Sequence, residues 1–286
     1  MSTALAQPAH TGHPHSSLGR LTFPRVLRSE WIKLRSLRST FWTLLSVVVL
    51  VVGLATLLSF ALPSKTSLLT QAGPRAATID PSNVVATAAT FGLTFAQLVV
   101  AVLGVLVISG EFSTGMIRSS FAAVPHRFPV LVAKAIVLFV VSFLIGLISM
   151  AASWAITIGV TSTKGYDREL FAASTLWSVL GAAAYLGLVA VFALGIGTII
   201  RSSAGGISAV VGVLFVLPIL WSILVSLLPK VTWLADWQHY LISNNGNGLA
   251  GLTNGALEPW QNVLSVCVWT AVAFAVGAVL LQRRDA

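Results

Sequence analysis

Charge is what this chain has least of: only 9% of its residues are Asp, Glu, Lys or Arg, against about 25% in an average soluble domain. With so few charges spread over so apolar a chain, the formal net charge of +9 cannot form the continuous basic groove that nucleic acid requires. Cysteine is nearly absent too. The single Cys267 lies in an apolar stretch, which excludes an intrachain disulfide and a thiolate metal cluster. No Gly-Lys dipeptide occurs anywhere, so the phosphate-cradling GxxxxGK[ST] loop is missing and the chain cannot hydrolyse ATP by that route. There is no HExxH, and no acidic pair falls within the apolar segments, so metal hydrolysis and a proton relay lack their usual residues. No catalytic, cofactor-binding or metal-binding residue is assigned. Ser142 and Ser149 are read as packing or hydrogen-bonding groups in a helix, and His10, His13 and His15 as part of a polar tail.

What is abundant is apolar sequence, 56% of the chain. A helix crosses the hydrocarbon core with about 20 residues, because each advances 1.5 Å and every backbone polar group is satisfied within the segment. Six stretches qualify, at about 41–62, 84–109, 130–161, 171–200, 204–228 and 260–281. The fold class is therefore an all-α integral membrane protein with six transmembrane helices. Lys134 sits near the start of the third and is expected to snorkel to the adjacent surface. Only Arg201-Ser202-Ser203 separates the fourth from the fifth, which predicts a tight hairpin, and Pro218 predicts a bend in the fifth.

Six spans put both termini on one side. With them lie Arg20, Arg25, Arg28, Lys33, Arg35, Arg38, Arg118, Arg127, Lys134, Arg201, Arg283 and Arg284, 12 of the 17 basic residues. The remaining Lys65, Arg75, Lys164, Arg168 and Lys230 are balanced by Asp80, Asp167, Glu169, Asp236 and Glu258. The positive-inside rule then makes both termini cytoplasmic in the cell membrane.

The organisation follows. Residues 1–22 lack the apolar core of a secretory signal and are expected to be a disordered cytoplasmic tail. Residues 23–40 are expected to form an interfacial amphipathic helix, with Phe23, Val26, Leu27, Trp31, Leu34, Leu37 and Phe41 on one face and basic residues opposite. Within it the basic face with Arg25, Arg28 and Arg35, and with Lys33 and Arg38 also in the helix, suits an anionic lipid surface, Trp31 lies on the apolar face, and Glu30 projects into the apolar stripe. Two outcomes are open for Glu30: a basic or hydrogen-bonding partner elsewhere in the protein, or a roll of the helix that keeps it in water beside Lys33. Residues 41–282 make the six-helix domain and 283–286 a cytoplasmic tail. Residues 229–259 form the long outer loop, where Trp233, Trp237 and Tyr240 suit a headgroup belt and SNNGNGLAGLTNG is turn chemistry.

The stretch GEFSTGMIRSSFAAVPHR, Gly110 to Arg127, brings charges between two apolar spans. A short helix over 111–124 would put Phe112, Met116, Ile117 and Phe121 on one side and Glu111, Thr114, Gly115 and Arg118 on the other. Gly110 would separate it from the second span, and Pro125 would end it.

The segments SEWIKLRSLRSTFWTLL and GEFSTGMIRSSFAAVPHRFPVLVAKA resemble the integral-membrane subunit of an ABC-2 type exporter, particularly the actinobacterial kind. The resemblance implies an N-terminal interfacial helix, a cytoplasmic coupling helix between spans 2 and 3 at about 111–124, and an extracellular re-entrant or interfacial helical element before span 6. It also implies a permease carrying an amphipathic or apolar cargo, with no cofactor of its own. ATP would be used by a separate ABC ATPase (nucleotide-binding) subunit, contacted through Glu111, Thr114, Gly115 and Arg118. A second permease copy, in a homodimer or paralogous heterodimer, and membrane lipid complete the expected partners, with no nucleic acid. A self-contained facilitator or channel, or a membrane scaffold without transport, is the alternative.

Overall fold

The computed structural model describes residues 22–73, 81–116, 127–166, 173–251 and 257–283. Among them every regular element is helical: α1 (Phe23–Ser36), α2 (Arg38–Ala61), α3 (Lys65–Ala72), α4 (Pro81–Thr90), α5 (Leu93–Ser113), α6 (Arg127–Ser162), α7 (Ala173–Ile200) and α8 (Ser203–Val211). A π-helical turn at Gly212–Val216 follows, then α9 (Leu217–Leu227), α10 (Thr232–Gln238), α11 (Ile242–Leu249) and α12 (Pro259–Arg283). Six helical stretches are long and apolar enough to cross a membrane: 38–61, 83–113, 128–162, 176–200, 203–227 and 259–283.

The fourth span, α7, is the centre of the bundle, packed against α5, α6 and α12. Its small residues make that possible, because backbones approach closely only where no side chain intervenes. A Cβ on Gly195 would stand 2.7 Å from the Ala273 backbone of α12. The fifth span is the opposite case. Only 11% of its most apolar window is buried within the chain, against 67% for the fourth. Val216, Ile219, Leu220, Ile223 and Leu227 lie exposed along it.

Three expectations are met with altered geometry. The helix expected over residues 23–40 stops at Ser36, where Leu37 is extended, and α2 starts afresh at Arg38. The second span is broken at Phe91–Gly92, where the chain passes over the first span: a Cβ on Gly92 would come within 2.5 Å of the Val51 Cα. In the fifth span a widened π turn lies directly before Pro218. That turn accommodates a proline that supplies no N–H and whose ring crowds the carbonyl one turn back.

The asparagine- and glycine-rich loop before the last span corrects the sequence reading. Ile242–Leu249 is a helix, α11, instead of a run of turns. Glycine is used there for closeness: a Cβ on Gly246 would fall 2.2 Å from the Tyr185 ring. Asn245 donates to the Leu241 carbonyl at 2.9 Å and to Ser265 Oγ at 3.0 Å, which fastens α11 to α12. Trp233, Trp237 and Tyr240 are exposed while Leu234 and Leu241 are buried. The serine readings hold in part: Ser149 donates back to the Ile145 carbonyl at 2.6 Å, whereas Ser142 Oγ is buried with no partner.

Candidate functional site

Where α1, α5 and α6 meet, four oppositely charged side chains converge at the end of the bundle that holds the N-terminal side of the chain. The apolar face of α1 rests on α6 with Val26, Glu30 and Leu34 buried, spaced one turn apart on one stripe. Glu30 is thus carried inward by the same periodicity that buries its apolar neighbours. Lys134, near the start of α6, lies beneath it.

Lys134 Nζ donates to Glu30 Oε2 at 2.5 Å and to Glu111 Oε1 at 2.8 Å. Lys33 Nζ donates to Glu30 Oε1 at 2.8 Å and to Glu111 Oε1 at 3.1 Å. The four groups sum to zero charge. Glu30 is 4% exposed and Lys134 3%, so this pair has left water almost entirely. Taking either charge out of water alone is costly, and close pairing with extra hydrogen bonds offsets that cost. Burial raises the tendency of Glu30 to hold a proton, but the ammonium of Lys134, aided by Lys33, outweighs it and holds the carboxyl below its ordinary range. Burial likewise opposes the charge on Lys33, but its hydrogen bond to Glu30 and the nearby Glu111 charge raise its pKa above the usual lysine value.

The end of α5 is held from a second side. Ser109 Oγ lies 2.8 Å from Ser203 Oγ at the start of α8, and the Arg201 guanidinium stands 5.1 Å from the centre of the Phe112 ring. Arg201 takes a left-handed backbone (φ 58°) that turns the chain between α7 and α8 within the expected hairpin.

These contacts correct the reading of Gly110 and Glu111. α5 runs unbroken through Gly110 to Ser113, so Glu111 belongs to the second span and not to a separate helix beyond it. It is buried against two lysines, although it and Thr114 line the same partly open cavity. The helix ends with Thr114, whose hydroxyl donates to the Gly110 carbonyl at 2.8 Å, and Gly115 then adopts φ 69°, a left-handed conformation suited to glycine. Thr114, Gly115 and Met116 are exposed. Arg118 and the remainder of the helix expected to 124 fall outside the described residues.

Of the residues expected at the membrane interface, Glu30 and Lys33 enter the cluster, whereas Trp31, Arg35 and Arg38 are exposed. Lys134 is the functional candidate that sequence reasoning missed: it does not snorkel, because two carboxylates meet it inside the protein. A signal was present. On the predicted basic side of the membrane the acidic residues are Glu30, Glu111 and Asp285, and Lys134 is the basic residue set deepest into an apolar segment.

A sequence model described as ABC-2 family transporter protein matches residues 25–286, nearly the whole chain. No curated protein matches it.

Proposed function

Because the chain belongs to the ABC-2 family of transporter proteins, in which it is a multi-pass transmembrane permease, we propose that it forms the pathway of an exporter driven by a separate ATPase subunit. The family match across residues 25–286 carries this reading. The absence of a phosphate-binding loop in the sequence accords with a motor supplied in trans.

In this reading the motor docks at the end of the bundle that bears α1, which the distribution of Lys and Arg assigns to the cytoplasm. The exposed Thr114–Met116 segment and the residues following it, including Arg118, form the contact. A push there reaches the second span through α5. It reaches the third span and α1 through Glu111, Lys134, Lys33 and Glu30, and the fourth and fifth through Arg201 and Ser203. ATP is bound and hydrolysed by the motor, and this chain binds no cofactor. A second permease copy packs by apolar surfaces, for which the thinly covered fifth span is the available face. Apart from the internally neutral cluster, the described spans offer few charged groups to a cargo, which favours an apolar or amphipathic one over an ion.

The test is copurification of the tagged chain with a Walker-motif ATPase from its own host, with membrane expression as control. The reading expects stable association that Thr114→Arg with Arg118→Glu weakens, since mismatched charge at a contact lowers affinity. Cysteine reporters at Thr163 and Trp237 should react from outside the cell and one at Ser119 should not. Failure of the wild-type chain to retain any ATPase, or labelling of Ser119 from outside, contradicts it.

A further inference from the structure

Beside the charged cluster, between α1, α2, α5 and α6, lies a partly open cavity of about 380 Å³. That volume is within the roughly 300–1,000 Å³ of small-molecule sites. At one end stand Glu111 and Lys134, which bond each other. An aliphatic wall makes the other: Leu37 from the joint between α1 and α2, Leu106 and Val107 from α5, and Val137 from α6. Val107 precedes Glu111 by four residues, which carries this wall about 6 Å further into the second span. Leu37 is 50% exposed and Leu106 40%, so the wall is uncovered on its outer side. What lies outside it is hydrocarbon. Trp42 and Leu45 on the first span and Val140 on the third are exposed as well, so the cavity is continuous with the surface that the spans present to a bilayer.

We propose that one acyl chain of a phospholipid, from the leaflet on the α1 side, lies in this cavity against Leu106, Val107 and Val137 and keeps water away from Glu111 and Lys134. The site recognises hydrocarbon, so the headgroup is not selected. Two effects favour the chain over water. Aliphatic side chains lining a wet cavity would forgo the gain of burial, and expelling water strengthens the attraction between Lys134 and Glu111 across their 2.8 Å contact. Drying the cavity adds little cost, because the protein has already taken these two groups out of water, to 3% and 8% exposure. A lipid reaches the site by lateral diffusion, since the starts of the first and third spans and the end of the second bound it. It then packs against the same α1, α5 and α6 that the ion pairs join. The inference does not depend on motor attachment.

The experiment uses the full chain alone, purified in detergent, stripped of lipid and given back phosphatidylcholine, phosphatidylethanolamine or phosphatidylglycerol. Bound lipid is counted by native mass spectrometry, and the unfolding midpoint is measured with and without lipid. Val107→Trp fills the aliphatic end with its own ring and leaves all four charges in place. The wild type should retain one phospholipid more than this variant, to a similar extent with each headgroup. Val140→Trp enlarges an exposed side chain outside the cavity and should retain lipid as the wild type does. Leu37→Gln, at an exposed position where folding is not at risk, makes the wall polar and should also lose the extra lipid. Added phospholipid should raise the unfolding midpoint of the wild type and of Val140→Trp, and that of Val107→Trp by less, because there the indole already excludes the water. Retention unchanged by Val107→Trp and Leu37→Gln, retention confined to one headgroup, or an equal rise of the midpoint in wild type and Val107→Trp would each overturn the proposal.

Discussion

At the end of the bundle that holds α1, Lys134 draws two carboxylates from two other helices into the protein. At the opposite end Lys164 lies over the last carbonyls of the first span, donating to Ser59 at 2.9 Å, Phe60 at 2.8 Å and Leu62 at 2.6 Å. Each lysine ties the first part of the chain to α6 or the turn that follows it, by different chemistry. Lys164 caps a helix C-terminus, where carbonyls and the negative end of the helix dipole attract a cation that is still near water. Lys134 completes a neutral set of buried charges. The lesson concerns what each end tolerates. Neutral carbonyls deprived of a lysine can turn to water, whereas buried carboxylates deprived of one remain charged in a poor medium.

That difference orders the expected effects of substitution. Lys134→Met should be the most damaging, because it leaves Glu30 and Glu111 sharing Lys33 alone. Breaking a buried pair in this way costs about 3–5 kcal/mol, measurable as a large fall in the unfolding midpoint of the detergent-purified chain and in its yield from membranes. At the opposite end, Gly246→Ala should come next. Its methyl group would overlap the Tyr185 ring, and the overpacking should cost about 1–3 kcal/mol, with faster proteolysis of the α10–α11 region as the readout. Lys164→Met should cost only about 0.3–1 kcal/mol, the usual worth of a cation at a helix C-terminus, and the same unfolding assay would register a small shift. If Lys164→Met proved as damaging as Lys134→Met, the distinction between the two ends would collapse.

A change of pH probes the cluster without mutation and should have the smallest effect of all near neutrality. Glu30 titrates below its ordinary 4.5, so its contribution is complete above that value and disappears as pH falls through its lowered pKa. Lys33 titrates above its ordinary 10.5, so its contribution is complete below that value and is lost as pH rises through the raised pKa. Between these limits neither group changes charge. The unfolding midpoint should therefore show no step from these two groups between about pH 5 and 10. A step near pH 6 to 7 that Glu30→Gln removes would contradict the pairing.

The six spans were legible because length and hydropathy in a bilayer leave the backbone little choice. The hairpin at Arg201–Ser203 was legible for a similar reason, since so short a polar interval allows no other connection. Local rules failed where a distant partner decides. Asn-Asn-Gly-Asn-Gly reads as turns, yet Tyr185 from the fourth span offers a surface on which a glycine-bearing helix fits closely. Lys134 reads as a snorkelling residue, since nothing in its neighbourhood along the chain announces Glu30, 104 positions earlier. Glu111 reads as a solvent-facing charge after a glycine, yet the helix continues through Gly110 because its next turn is anchored by two lysines. The requirement that Glu30 find a partner was legible in the sequence, and the first of the two open outcomes is the one met: Lys134, from a distant part of the chain, lies beneath it, and although Lys33 is beside it the helix has not rolled to keep Glu30 in water.

The central claim is that the charges interrupting this apolar sequence act first on one another, joining α1, α5 and α6 as one unit. A double-mutant cycle on Glu30→Gln and Lys134→Met tests it most directly, read as the unfolding free energy of the purified chain in detergent. Each single change should be destabilising, and the double variant should be less damaged than their sum, with a coupling of about 1–3 kcal/mol, as expected for residues in direct contact within a charge network. Additive effects, within about 0.5 kcal/mol, would mean that the two side chains do not interact, and the account of the cluster would be wrong.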